Sequence, residues 1–375
     1  MARRENCKKN NSELPHELMF NIFFLLPVAT LLRCKSVCKT WLSIISDPRF
    51  VKAHCIESQK RQPSSVLEVA SDDQLCIDNH ETKTLFEMPE EYLYGKSPFV
   101  SSCNGLVCFA HHDPRVTYIG NPMTRQFKKL PSPPKEPDSR LWRMVGFGFD
   151  DVSDDYKFIR FFVKGIHSRS YRIKAEMYSV NEDTWKEVKV PEGLEKFKFP
   201  LFRGVGIFLP DQTRVLYFEG FHELLSFDLH DEVFRVHPFP KPGKLPAGQG
   251  KPIRSSLLEF EGSVAKIYEE SSGDDETVLS LWTLDGDCGN GSWTKQFNFE
   301  DHIKNDHVTL YLGDGQFVVA AENYDRHGYP SEPIFYYHKK KHAKEYLGAS
   351  PARELISVVK CNESLVSLKG FKQLE

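Results

Sequence analysis

At 375 residues the chain holds one large domain, or one large and one small, and either arrangement can bury a sizeable core. With 49 basic and 52 acidic residues, its net charge of -3 supplies no general attraction to nucleic acid or to an anionic membrane, and neither is expected as a partner. A composition of 40% apolar and 27% charged residues is that of an ordinary globular protein.

Arg3, Arg4, Lys8 and Lys9 precede an apolar run at 19–32, a superficial likeness to a secretion signal. Asn21, Pro27 and Thr30 break that run, Arg33-Cys34-Lys35 offers no small-residue cleavage site, and the stretch is too short to span a bilayer. An intracellular protein, cytoplasmic and/or nuclear, is therefore expected. Nine cysteines with no CxxC pair read as free thiols in a reducing compartment. The sequons at Asn10, Asn290 and Asn362 carry no weight there.

The first fifty-odd residues are helical in pattern. Leu14, Leu18, Ile22 and Leu25 or Leu26 recur at spacings of three and four, and Pro15 suits a first helical turn. The pattern predicts a helix over 15–25, a second over 28–36 after Pro27, and a third over 39–45 carrying Trp41, with Pro48 closing it. Trp41 is expected in the core of this small module. Residues 57–65 are polar and read as a linker, so the expected domains are 10–56, helical, and 66–375, all-β.

Beyond the linker, short apolar and aromatic runs alternate with Gly, Pro, Asn and Asp, the pattern of a sandwich, barrel or propeller. A strand, a polar turn and a second strand ending near an aromatic recur six times. Anchored at Ile77, Ile119, Tyr178, Phe227, Trp282 and Phe335, the copies lie 42, 59, 49, 55 and 53 residues apart. Kelch-like blades repeat at about 50 residues. The repeat therefore favours a six-bladed kelch-like β-propeller, with 364–368 expected to close the ring by completing the first blade.

Candidate chemical sites are few. Asp154 and Asp155 lack the EF-hand ligand spacing and read as a capped strand entry with Tyr156 packed inward. The glycine-rich run 286–292 lacks a phosphate-binding lysine pattern. His111, His112 and Asp113 would bind metal only with a distant ligand, His302 and His307 read as surface residues, and the basic run 338–342 reads as a solvated turn. Neither a GxSxG elbow nor a Walker motif occurs, so no catalytic residue, cofactor or metal is assigned. An enzyme with an active site assembled from distant segments stays open as a minor alternative.

The helical segment resembles the F-box. The residues that carry the likeness are Leu14-Pro15, Leu18, Ile22, Leu26-Pro27-Val28, Leu31-Leu32-Arg33, Val37-Cys38-Lys39, Trp41 and Ile45-Ser46-Asp47-Pro48-Arg49-Phe50. Leu25, Ala29 and Cys34 depart from the family pattern. The remainder resembles the F-box-associated domain of a large plant group. It does so through Ser102-Cys103-Asn104-Gly105-Leu106-Val107-Cys108, Asn121-Pro122-Met123-Thr124-Arg125-Gln126-Phe127 and Gly146-Phe147-Gly148-Phe149-Asp150 with Ser153-Asp154-Asp155-Tyr156-Lys157.

The resemblance implies a substrate receptor of a cullin–RING ubiquitin ligase, docking a SKP-family adaptor through Leu14, Pro15, Leu18, Ile22, Leu26, Pro27, Leu31 and Leu32. The β domain would hold an unidentified protein target, a secreted-type ribonuclease if the chain belongs to the self-incompatibility subset. A non-degradative, adaptor-bound scaffold is the alternative. If the chain is a receptor, the two halves are expected to be separable in function.

Overall fold

The computed structural model describes residues 14–60, 65–70, 74–78, 83–87, 99–111, 115–133, 142–164, 172–194, 204–209, 214–220, 223–240, 255–271, 277–286, 291–299, 306–321, 334–338, 343–346 and 355–373. Residues 339–342 of the basic run, 287–290 of the glycine-rich run, His112, Asp113 and His302 lie outside them.

Four helices come first: α1 His16–Phe24, α2 Val28–Cys34, α3 Lys39–Ile45 and α4 Pro48–Lys60. Pro15 and Pro27, both extended, stand immediately before α1 and α2. Pro48 was expected to close the third helix. It opens the fourth instead, since a first helical position needs no N–H and a fixed φ suits it. Asp47 accepts the Arg49 N–H and pairs with its guanidinium, fastening that start. Helix α4 runs through 57–60, so the first half of the expected linker is helical. Phe23, Val28, Leu31, Ile44, Ile45 and Phe50 form the module's core, and Trp41 packs edge-on against Phe23 from its margin.

Six antiparallel blades follow. Blade 1 begins with β1 Ser65–Ala70, β2 Gln74–Asp78 and β3 Lys83–Glu87. Blade 2 has β4 Phe99–Cys103, β5 Leu106–Ala110, β6 Thr117–Asn121 and β7 Gln126–Lys129. Blade 3 has β8 Trp142–Asp150, β9 Asp155–Lys164, β10 Arg172–Ser179 and β11 Thr184–Val188. The next segment joins two blades: β12 Gly204–Val205 pairs in parallel with β8, then β13 Ile207–Phe208 pairs with β14 Val215–Glu219. Blade 4 continues with β15 Glu223–Asp228 and β16 Phe234–Pro238. Blade 5 is β17 Ser255–Phe260, β18 Ser263–Ser271, β19 Thr277–Asp285 and β20 Ser292–Asn298. Blade 6 is β21 Asp306–Gly313, β22 Gln316–Ala321, β23 Ile334–His338 and β24 Ala343–Tyr346. β25 Leu355–Cys361 then pairs with β1 as the inner strand of blade 1, and β26 Lys372–Gln373 adds to the outer edge of β7.

The inner strands adjoin in sequence around the ring, β25 to β4, β4 to β8, β8 to β13, β13 to β17, β17 to β21 and β21 back to β25. The fold is a six-bladed β-propeller whose first blade takes three strands from the start of the β domain and one from its end. The ring is closed by β25, not by 364–368 as expected from the sequence. The Ser-Leu-Val-Ser-Leu alternation there does mark an extended chain, but its two faces meet other partners, described below.

The sequence repeat maps onto the outer two strands of each blade. Their turns share a device. Asn121, Ser179 and Asp228 end a third strand with a side-chain acceptor for backbone N–H groups of the turn, and Asp150 does the same at the end of β8. Four residues later Arg125, Asp183, Glu232 and Asp154 adopt the left-handed conformation. A polar cap followed by a left-handed residue reverses the chain tightly.

β8 explains the Gly-Phe-Gly-Phe-Asp run. Val145 and Phe147 face the core shared with blade 2. Gly146 and Gly148 face blade 4, where an added Cβ would lie 2.8 Å from the Phe218 ring and 2.6 Å from the Phe208 ring. Replacing Gly146 by valine is expected to cost about 1–3 kcal/mol through overpacking. Chemical denaturation of the variant checks this, and an unchanged midpoint would show that the blades can part at no cost.

Candidate functional site

In each blade successive strands run in opposite directions. Connections between first and second strands, and between third and fourth, therefore leave one rim of the ring, as does the chain after β25; connections between second and third strands, and from one blade to the next, leave the opposite rim. The helical module sits on the first rim, over blades 2 and 3. Gln59 donates to the Asn104 side chain, Cys55 to the Asn104 carbonyl, and Lys52 pairs with Asp154 while lying over the Phe149 ring. Asp155 accepts from Ser179 and from the Asn181 N–H, and Tyr156 is buried against Phe147 and Phe149. The adjacent carboxylates thus fasten turns.

The module's outward side carries an apolar ridge. Leu14, Leu18, Ile22 and Leu25 are 54%, 50%, 49% and 72% exposed, at spacings of four, four and three on and beside α1. Leu42 and Val37 are also exposed. Pro15 and Pro27 are exposed at the helix starts. Leu26 and Leu32 are half-buried against the module's own core. Leu31 is fully buried there, so it holds the module together and offers no surface to a partner. Of the eight expected residues, Leu31 is thus enclosed in the module's core, whereas Leu25, outside that set, is exposed beside Ile22. Leu25 lies three residues after Ile22 and seven after Leu18, on the same stripe. Helix α2 has seven residues between two packed neighbours, and periodicity alone does not say which of its leucines is enclosed. A groove of about 500 Å3 flanks the ridge between α1 and the start of α4, lined by His16, Glu17, Phe20, Asn21, Ile44, Asp47 and Arg49. Within it, the Arg49 hydrogen bonds hold the Asp47 carboxyl below its ordinary range.

A family model described as F-box-like matches residues 11–57, and one described as an F-box associated beta propeller domain matches residues 53–347. The chain belongs to the plant F-box proteins with an associated β-propeller domain. The putative F-box protein At1g47790 of Arabidopsis thaliana is 31% identical over 365 residues, 86% of this chain and 82% of that one. F-box protein CPR1 of the same plant is 24% identical over 313 residues, covering 76% of this chain and 73% of its own. Among solved structures, the β-propeller domain of the Trilobed protease from Pyrococcus furiosus covers 68% of this chain and 72% of its own, at 11% identity and a TM-score of 0.33. The apolar ridge is thus on the F-box, and the F-box stands on the tight-turn rim of its associated propeller. Among the described residues no helix is long and apolar enough to cross a membrane.

Proposed function

We propose that this F-box protein is the substrate-recognition subunit of an SCF-type cullin–RING ubiquitin ligase. The F-box docks a SKP-family adaptor, and the propeller holds a target protein. The ridge on α1 supports the first half of the reading most directly. Leu18 and Ile22 of α1, with Leu14 just before it and Leu25 at its end, stay about half exposed or more, although the module has a core of its own. Such a row invites a partner helix or groove. For the second half, the longest connections, 189–203 and 239–254, leave the rim opposite the F-box. That rim is the target face in this reading, since loops on a rigid scaffold carry recognition. The chain does no chemistry itself; it raises the effective concentration of a target lysine near a charged conjugating enzyme. The seven described cysteines are all thiols, which suits the cytoplasm or nucleus.

Leu18→Ala with Ile22→Ala is the test. Each side chain is half exposed, so docking removes about half a leucine's surface, or about 1 kcal/mol. The pair together should lower adaptor affinity roughly thirtyfold, with propeller melting unchanged. Unchanged affinity in a titration with the purified adaptor overturns this interface. Ubiquitylation of a trapped partner in the reconstituted ligase separates a receptor from a scaffold.

A further inference from the structure

After β25 the chain emerges on the F-box rim and runs extended between the two halves. One side of it faces the helices. The Glu363 carboxylate accepts the Val28 N–H at 3.0 Å, at the start of α2, and the Glu363 carbonyl accepts the Ser58 hydroxyl of α4 at 2.7 Å. Leu365 is 3% exposed and belongs to the core formed by Phe23, Val28, Leu31, Ile44, Ile45 and Phe50. Its other side faces the propeller. Ser364 is buried against Gly105, whose positive φ and missing Cβ admit it. The Asn121 amide donates to the carbonyls of Ser364 at 2.8 Å and Val366 at 2.9 Å. Val366, Leu368 and Phe371 pack against the core shared by blades 2 and 3. Residues alternate between two partners, as an extended chain allows.

We infer that residues 362–368 are a strap that fixes the F-box at one orientation on the propeller, with Glu363 and Leu365 as positioning residues for ubiquitin transfer. The transfer clause rests on the receptor reading above; the strap does not. A receptor works by holding a target lysine and a distant cysteine within a small shared volume, and a swivelling F-box would enlarge that volume and dilute the encounter. The strap couples the two halves that the sequence suggested were separable. A β domain freed of the F-box exposes Leu365, and an F-box freed of the β domain loses a core side chain.

The experiment measures the distance between spin labels at K39C on α3 and E187C on β11, in full-length protein with Cys7, Cys34, Cys38 and Cys288 replaced by serine. The parent should give one narrow distribution. Asn121→Asp keeps the side-chain oxygen that accepts the Met123 and Thr124 N–H groups, but turns a second oxygen towards the two strap carbonyls. It should broaden the distribution while the turn persists. Glu363→Ala with Leu365→Ala should broaden it further; because Leu365 helps build the F-box core, helicity is recorded for that variant. A distribution as narrow as the parent's in a folded Asn121→Asp protein overturns the strap. In a ligase reconstituted with adaptor, cullin–RING and conjugating enzyme, self-ubiquitylation should fall on few lysines of the parent and spread over more in Asn121→Asp. Narrow parent distances that broaden in the variant, with no self-ubiquitylation of either protein, would overturn the receptor reading and support the strap.

Discussion

Deleting residues 355–375 is expected to make the chain aggregate. β25 pairs with β1 from Ser65↔Cys361 to Ala70↔Leu355, and it stands between the inner strands of blades 2 and 6. Its removal leaves β1 as an unpaired inner edge and opens the ring at one place. Open edges of this kind recruit other chains. Cys361 is buried with Leu67, Val107 and Phe109, and Val359 packs against the same cluster, so the loss uncovers core as well as backbone. Uncovering each large apolar side chain costs about 1.5–3 kcal/mol, against a whole-domain stability of about 5–15 kcal/mol. Deleting only 369–375 removes β26 from the outer edge of blade 2 and leaves the ring closed, so that protein should not aggregate. Sedimentation of the two truncated chains checks the contrast. Adding a synthetic peptide of residues 355–368 during refolding of the longer truncation should restore soluble protein by strand addition. A monodisperse, cooperatively melting chain that ends at 354 would show that β25 is dispensable for closure.

Much of this architecture was legible because local chemistry and global fold agree. The outer hairpins of blades 2, 3 and 4 announce themselves through a capped turn between an apolar strand and one bearing an aromatic: Asn121 before Phe127, Ser179 before Trp185 and Asp228 before Phe234. A residue such as Asn121 acts on neighbours two and three positions away, and such short-range bonds leave a trace in sequence. What the sequence hid was contingent on distant partners. Pro48 is compatible with both a helix stop and a helix start, and Asp47 with Arg49 decides for the start. Leu355–Cys361 and 364–368 are both plausible strands. Only the three-dimensional path shows that the first meets β1 while the second lies between Leu365's helical core and the Asn121 amide. On the F-box, Leu25 and Leu31 are chemically alike six residues apart, yet one is solvent-exposed and the other fully enclosed. Periodicity names a stripe; packing of α2 between its neighbours decides which stripe is inside.

Asp150→Asn is expected to be the most damaging single substitution in the propeller. The Asp150 side chain is fully buried at the junction of blades 3 and 4. One carboxylate oxygen accepts the Lys157 ammonium at 2.6 Å, the Ser153 hydroxyl at 2.5 Å and the His230 Nδ1 at 3.0 Å; the other accepts the N–H groups of Val152 and Ser153. Lys157 also donates to the Leu229 carbonyl of blade 4 at 2.9 Å, so the pair joins two blades. Burial pushes the carboxyl upward, but the hydrogen bonds from Lys157, Ser153 and His230 outweigh it and hold Asp150 well below the usual carboxylate range. An asparagine keeps an oxygen for the turn but turns an amide donor towards a buried ammonium. Breaking a buried pair from one side costs about 3–5 kcal/mol, because the remaining charge is stranded. Adding Lys157→Met should return part of that loss, since the stranded charge goes with it. The pH dependence has a definite sign. A carboxyl depressed by folding stabilises the native state above its unfolded pKa of about 3.9, and that contribution disappears as pH falls towards the folded value. Urea denaturation of wild type and Asp150→Asn should therefore differ by a constant amount from about pH 8 to pH 5 and converge below about pH 4. A gap that widened on acidification would mean that Asp150 is protonated in the folded protein, with Lys157 held by the Leu229 carbonyl instead.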